Sequence, residues 1–98
     1  MHILTVAYGR PRDPEEFDRH YARIHRPLAE KLPGLEEFVT RHCSAIDGSQ
    51  PPYYLIAELS FPSKASLDTA LSLLEGQAAA ADLENFAAGG VTMFAQYD

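Results

Sequence analysis

Residues Tyr53–Phe61, "YYLIAELSF", restrict the fold of this chain more than any other stretch. Prolines bound the run, Pro51-Pro52 before it and Pro62 after it. Its odd positions, Tyr53, Leu55, Ala57, Leu59 and Phe61, are all apolar. Its even positions, Tyr54, Ile56, Glu58 and Ser60, are mixed. A period of two describes a strand with one face on a core. A chain of 98 residues holds one domain, 1–98, and therefore one main sheet. The remaining segments must supply that sheet's partner strands and its cover.

His2–Tyr8, "HILTVAY", is rich in β-formers and ends at Gly9, which predicts the first strand. Asp13 then reads as a helix N-cap, with Pro14 at the first helical position and Glu16 completing a capping box. Phe17, Tyr21, Ile24, Leu28 and Leu32 form one apolar stripe, and Pro33-Gly34 stops the helix. Leu35–Ile46 reads as a second strand, and "DGSQPP" as a turn into the third. Ser63 can cap a second helix carrying Leu67, Ala70, Leu71 and Leu74, with Gly76 as its stop and Ala78–Leu83 as a further short helical piece. Val91–Tyr97 is the last strand. There is no internal repeat.

The order β-α-β-β-α-β predicts an α+β, ferredoxin-like protomer, a four-stranded antiparallel sheet with its helices on one face. The odd face of Tyr53–Phe61 fits the helices. The even face has nothing else in the chain to cover it. A second copy packing sheet to sheet is the economical solution, an isologous homodimer enclosing a cavity with a few polar groups.

Charge narrows the partners. The net charge is −6 and the eight basic residues are scattered, which disfavours nucleic acid and an anionic membrane surface. No apolar run approaches spanning length, and the N-terminus does not read as a signal peptide, so a cytoplasmic location is expected. The lone Cys43 cannot form an internal disulfide.

Two stretches, "HRPLAEKLPGL" and "ADLENFAAGGVTMF", resemble the EthD family of dimeric α+β barrel proteins. His-x-Pro-Leu, Leu-Pro-Gly-Leu and Asp-Leu-x-Asn-Phe carry the likeness. It implies a ferredoxin-like protomer, a homodimer and an internal cavity, but no settled reaction. Similar barrels include lactone isomerases, polyketide cyclases and cofactor-free monooxygenases acting on small, often aromatic or enolisable compounds. Some relatives have a tyrosine where this chain has Phe38, so no phenol is implied at that position.

His25 is the first candidate for chemistry. Pro27 has no N–H, so the Arg23 carbonyl loses its helical partner and the helix should kink or open at His25. The ring could then reach past the sheet edge toward the cavity and transfer protons near neutral pH. The alternative is that it merely bonds the freed carbonyl or the next loop. His20 lies about 140° away around an α-helix and reads as a solvated edge residue. Five-residue spacing does not make a chelating pair, and no metal or cofactor is assigned. Glu58, interrupting an apolar strand, is a second candidate acid or base if the even face is covered. Tyr54 and Ile56 share its face. Phe38 and His42 share a face of the second strand. Tyr8 and Arg10 close the first strand, where Arg10 could hold an enolate oxygen.

These residues suggest a cofactor-free enzyme of isomerase, cyclase or lyase type, transferring protons on a small apolar carbonyl or phenolic compound. His25 and Glu58 would be catalytic, and Tyr54, Phe38, His42, Ile56, Arg10 and Tyr8 would line the site. A non-catalytic module binding a hydrophobic metabolite, and a cofactor-free monooxygenase, are the alternatives.

Overall fold

Alternation in the third strand sets the layers of the molecule. The computed structural model describes all 98 residues, Met1–Asp98. Its elements are β1 (His2–Tyr8), α1 (Pro14–His20), a π-helical turn (Tyr21–His25), α2 (Arg26–Ala29), β2 (Glu37–His42), β3 (Leu55–Phe61), α3 (Lys64–Ser72), α4 (Leu74–Phe86) and β4 (Val91–Tyr97). The strands form one antiparallel sheet in the order β2-β3-β1-β4. This is the expected ferredoxin-like arrangement.

Leu55, Ala57, Leu59 and Phe61 of β3 are all buried. They pair across the ladder with Tyr8, Val6, Leu4 and His2 of β1, so these residues share the helix-covered face. Phe17, Tyr21, Ala29, Leu67 and Ala70 of the helical segments, with Leu32 of the loop after α2, close the core. Full burial of an aromatic such as Phe61 contributes about 1.5–3 kcal/mol, which ties β3 to the helix layer.

The opposite face carries Ile3, Thr5, Ala7, Val39, Ile56, Glu58, Phe94 and Gln96. A polar strip crosses it. The Gln96 amide donates to Thr5 Oγ1 at 2.7 Å and to Glu58 Oε2 at 2.9 Å, and Arg41 Nη1 donates to Glu58 Oε1 at 3.1 Å. Ile3, Val39 and Ile56 remain half-buried beside it, and Phe94 is exposed.

Several element boundaries differ from the sequence reading: the first helix ends at Ala29 rather than at Pro33-Gly34, and Ala78–Leu83 is part of the single helix α4. β2 covers only Glu37–His42 of the predicted Leu35–Ile46. β3 starts at Leu55, because the chain bends at Tyr54. Gly76 does not end a helix. Leu73 does, by taking an extended conformation (φ −78°, ψ 169°), and Gly76 sits in the first turn of α4. A Cβ at Gly76 would collide with the Ala70 carbonyl and the Leu71 backbone. The glycine is there for the close approach of α3 and α4.

Candidate functional site

The helix that begins at Asp13 changes register where Pro27 approaches. Asp13 caps it, accepting from the Glu16 N–H at 3.2 Å, and α1 runs to His20. The chain then widens, and the Arg26 N–H donates to the Tyr21 carbonyl five residues back. Helical winding resumes at Arg26, which puts Pro27 in the first turn of α2. The helix runs on through His25 and Arg26 without a free start, so the missing N–H of Pro27 leaves a gap in its hydrogen-bond ladder where the π turn passes into α2. The expected opening at His25 is therefore a π turn rather than a kink.

The wider turn reorders the faces. In an α-helix His20 and His25 would diverge, but an i→i+5 turn brings residues five apart onto nearly one face. Both imidazoles reach the same carboxylate, Asp82 of α4. His25 Nδ1 lies 3.0 Å from Asp82 Oδ2. His20 Nε2 lies 3.0 Å from each carboxylate oxygen. Asn85 Nδ2 donates to Oδ1 at 3.0 Å. This corrects the reading of His20 as a solvated edge residue. No group of three or more His, Cys, Asp or Glu side chains is arranged to hold a metal ion.

An ionised carboxylate only accepts hydrogen bonds. His20 Nε2 and His25 Nδ1 therefore both carry hydrogen. That leaves His25 Nε2 as an acceptor. It faces the Tyr8 hydroxyl at 3.4 Å, a long contact that leaves the nitrogen weakly engaged. His25 and Asp82 are each 5 % exposed and Tyr8 is 1 % exposed. Phe86 packs against both imidazoles, its ring 4.9 Å from His20 and 4.7 Å from His25.

Burial dominates the electrostatics of His25. Desolvation disfavours the imidazolium and pulls its pKa below the usual value, although the Asp82 carboxylate opposes the shift. Burial pulls Asp82 upward, but hydrogen bonds from Asn85, His20 and His25 outweigh it and hold the carboxyl below its ordinary range. Desolvation raises both nearby phenols, Tyr8 strongly and Tyr21 to about 12, so both are neutral at physiological pH.

His25, Tyr8 and Tyr21 converge on an apolar cleft of about 60 Å³ between the helices and the sheet. Val6, Phe38, Leu59 and Leu83 are among its walls. Leu71 and Met93, 43 % and 54 % exposed, form its open rim. No lysine or arginine lines it. The cleft lies within one chain, on the helix side of the sheet, whereas the sequence reading put the cavity between two sheets.

The expected site residues divide. Tyr8 and Phe38 line the cleft with His25. Glu58 and Ile56 lie on the opposite sheet face, so Glu58 cannot share a substrate with His25 across the sheet. Tyr54 precedes β3 and escapes its alternation. Its hydroxyl donates to Asp18 at 2.9 Å, and its ring packs on Phe17 and His42. His42 lies on the helix side at the end of β2, 3.1 Å from Asp18, in an outer crevice rather than the cleft. Arg10 is exposed, 6.0 Å over the Tyr54 ring.

Sequence reasoning named Asp82 and Asn85 only within the Asp-Leu-x-Asn-Phe motif, set His20 aside as solvated, and used Tyr21 only as core. Asp82 had a signal. It falls three residues after Ala79 and four before Phe86, a charge on the apolar stripe of its own helix. Such a position demands a partner.

Three comparisons bear on this arrangement. The EthD domain family matches residues 10–90. An uncharacterised 11.0 kDa protein from the thcB-thcC intergenic region of Rhodococcus erythropolis is 45 % identical over 93 residues, covering 95 % of this chain and 90 % of the relative. Among solved structures, an EthD-family protein from Bacillus halodurans is 30 % identical with a TM-score of 0.94, covering 100 % of this chain and 98 % of the other. A dimeric ferredoxin-like protein of unknown function from Jannaschia sp. is 20 % identical with a TM-score of 0.71, covering 100 % of both chains. That last likeness is one of fold.

Proposed function

The chain belongs to the EthD family, and from that premise we propose that it transfers protons on a small, uncharged carbonyl or phenolic compound held in the cleft, with no bound cofactor. One observation supports this reading above the others. His25 Nδ1 is fixed 3.0 Å from the ionised Asp82, and Nε2, held only by a long 3.4 Å contact with the Tyr8 hydroxyl, is the acceptor at the wall of an apolar cleft. A carboxylate behind an imidazole sets its tautomer and stabilises the cation that forms when Nε2 takes a proton.

In the proposed step the substrate C–H or O–H proton passes to His25 Nε2, giving an imidazolium beside Asp82. The substrate anion faces that imidazolium and the neutral phenols Tyr8 and Tyr21. The same proton returns to a second position, which completes an isomerisation or ring closure. An anionic substrate fits poorly, because the cleft has no cation and a buried carboxylate stands behind it.

A second copy completes the molecule in this reading by covering Ile3, Val39, Ile56 and Phe94. The Jannaschia neighbour is described as dimeric, and so is a ferredoxin-like neighbour from Bacteroides fragilis. A binding module for an apolar metabolite is the second reading. It is favoured by the absence of any unpartnered buried polar side-chain atom.

Deuterium exchange separates the two. Cyclic ketones, lactones and alkylphenols are incubated with the protein in D₂O and followed by NMR. The enzyme reading expects incorporation that falls about 10²–10⁴-fold in a His25→Gln variant. Ligand binding without exchange in the unmodified protein, or equal exchange in the variant, overturns it.

A further inference from the structure

The Asp82 carboxylate serves two imidazoles, and only one of them lines the cleft. His25 is buried on the cleft side. His20, its side chain 20 % exposed, opens on the other side into a crevice formed by the β1–α1 loop, α1 and the end of α4. Phe86 lies against both rings. The π turn is what brings both imidazoles to one carboxylate, since a regular α-helix would turn them apart.

We propose that His20 is a positioning residue that tunes His25 by competing with it for Asp82. The inference rests on the proton-transfer reading of His25. The carboxylate has one negative charge to share. When His20 is neutral, its N–H bonds Asp82 and leaves most of the charge directed at His25 Nδ1. A proton on His20 makes a 3.0 Å ion pair with Asp82 and adds a positive charge next to His25. Both changes disfavour the imidazolium at His25 and weaken Nε2 as a base. The solvent-facing histidine thereby reports external proton activity to a base that solvent scarcely reaches.

Other groups facing this pair are few. Tyr8 of β1 and Tyr21 of the π turn face His25. Arg12, Asp13 and Glu16 line the crevice at His20, and Asn85 of α4 fixes the carboxylate from a third side. All keep their identity when His20 is replaced, although Asn85 shares Asp82 Oδ1 with His20. His20→Gln keeps an N–H donor toward Asp82 and removes the titrating ring.

The test is a ¹⁵N NMR titration of the histidine ring nitrogens, with no substrate present. In the unmodified protein, His25 should titrate in two interacting steps rather than along a single-site curve. In the His20→Gln variant it should follow a single curve with its midpoint raised by about one pH unit, the usual scale of environmental shifts for imidazole. A residue that only braces α4 would lower Tm and leave that midpoint in place. An unmoved midpoint, or a single-site His25 curve in the unmodified protein, overturns the proposal, and the second readout stands even if the variant does not fold. Because no turnover is measured, failure here is distinct from failure of the exchange assay with His25→Gln.

Discussion

Replacing Asp82 by asparagine tests the centre of the site with almost no change of shape. Asp82 accepts from His20, His25 and Asn85, and it is 5 % exposed. Hydrogen bonds to a charged group contribute about 1.5–3 kcal/mol each and neutral ones about half of that. An amide has one accepting oxygen where the carboxylate has two, so at least one donor meets an N–H instead. Some donors recover by retautomerising or flipping. The expected net loss is about 2–3 kcal/mol, which for a domain of this size lowers Tm by about 10 °C.

The pH dependence of that loss has a definite form. Asp82 has a depressed folded pKa, so its contribution is present above the unfolded carboxyl pKa of about 3.9 and fades as pH falls through the folded value. His25 is also depressed, by burial, and Asp82 opposes that depression. Without the carboxylate, His25 sinks further, and the Asp82→Asn protein loses more stability than the parent as pH falls below about 6.5. The Tm gap should therefore widen from about pH 7 to about pH 5 and narrow again below about pH 4. Thermal unfolding followed by circular dichroism across that range is the assay. A gap of less than about 2 °C near neutrality, or one independent of pH, refutes the argument.

Three further outcomes follow from other parts of the structure. His25→Gln should flatten the acid slope of stability between about pH 6.5 and pH 5, because the parent loses stability where the unfolded imidazole takes a proton that the buried one resists; matching slopes would show that His25 is not the source. Gly76→Val should cost about 1–3 kcal/mol or more by forcing α4 away from the Ala70 carbonyl, read as a fall in urea midpoint, and an unchanged midpoint would refute the close-approach argument. Ile56→Glu with Phe94→Glu should convert the proposed dimer to monomer in sedimentation equilibrium while leaving the single-chain fold intact; a mass unchanged by the pair places the contact elsewhere.

The fold was legible because its signals are local. Asp13-Pro14 marks a helix start by capping chemistry, and the apolar odd positions of β3 assign the helix face without reference to any other segment. Where an element depends on tertiary contact, the reading slipped. Gly76 looks like a stop in sequence, and only the crossing of α3 and α4 shows why a residue without Cβ belongs inside a helix. Tyr54 looks like a member of the outer face, and only the bend before Leu55 takes it out of the alternation and over to Asp18.

The site was half legible for a different reason. Pro27 marked the helix opening at His25, since a missing N–H must disturb the helix near that residue. But an α-helical period sets His20 and His25 apart, and the disturbance itself invalidates that period. Widening by one residue per turn moves the ring at position i+5 back toward the face of position i. The proline thus accounts for both the opening at His25 and the wrong angle to His20. A residue that breaks a local rule changes the rule for its neighbours, and spacing arguments that span such a residue need the altered period. With it, a histidine pair five apart beside a helix-breaking proline predicts one shared partner. A carboxylate on an apolar stripe elsewhere, here Asp82, is the natural candidate for that partner.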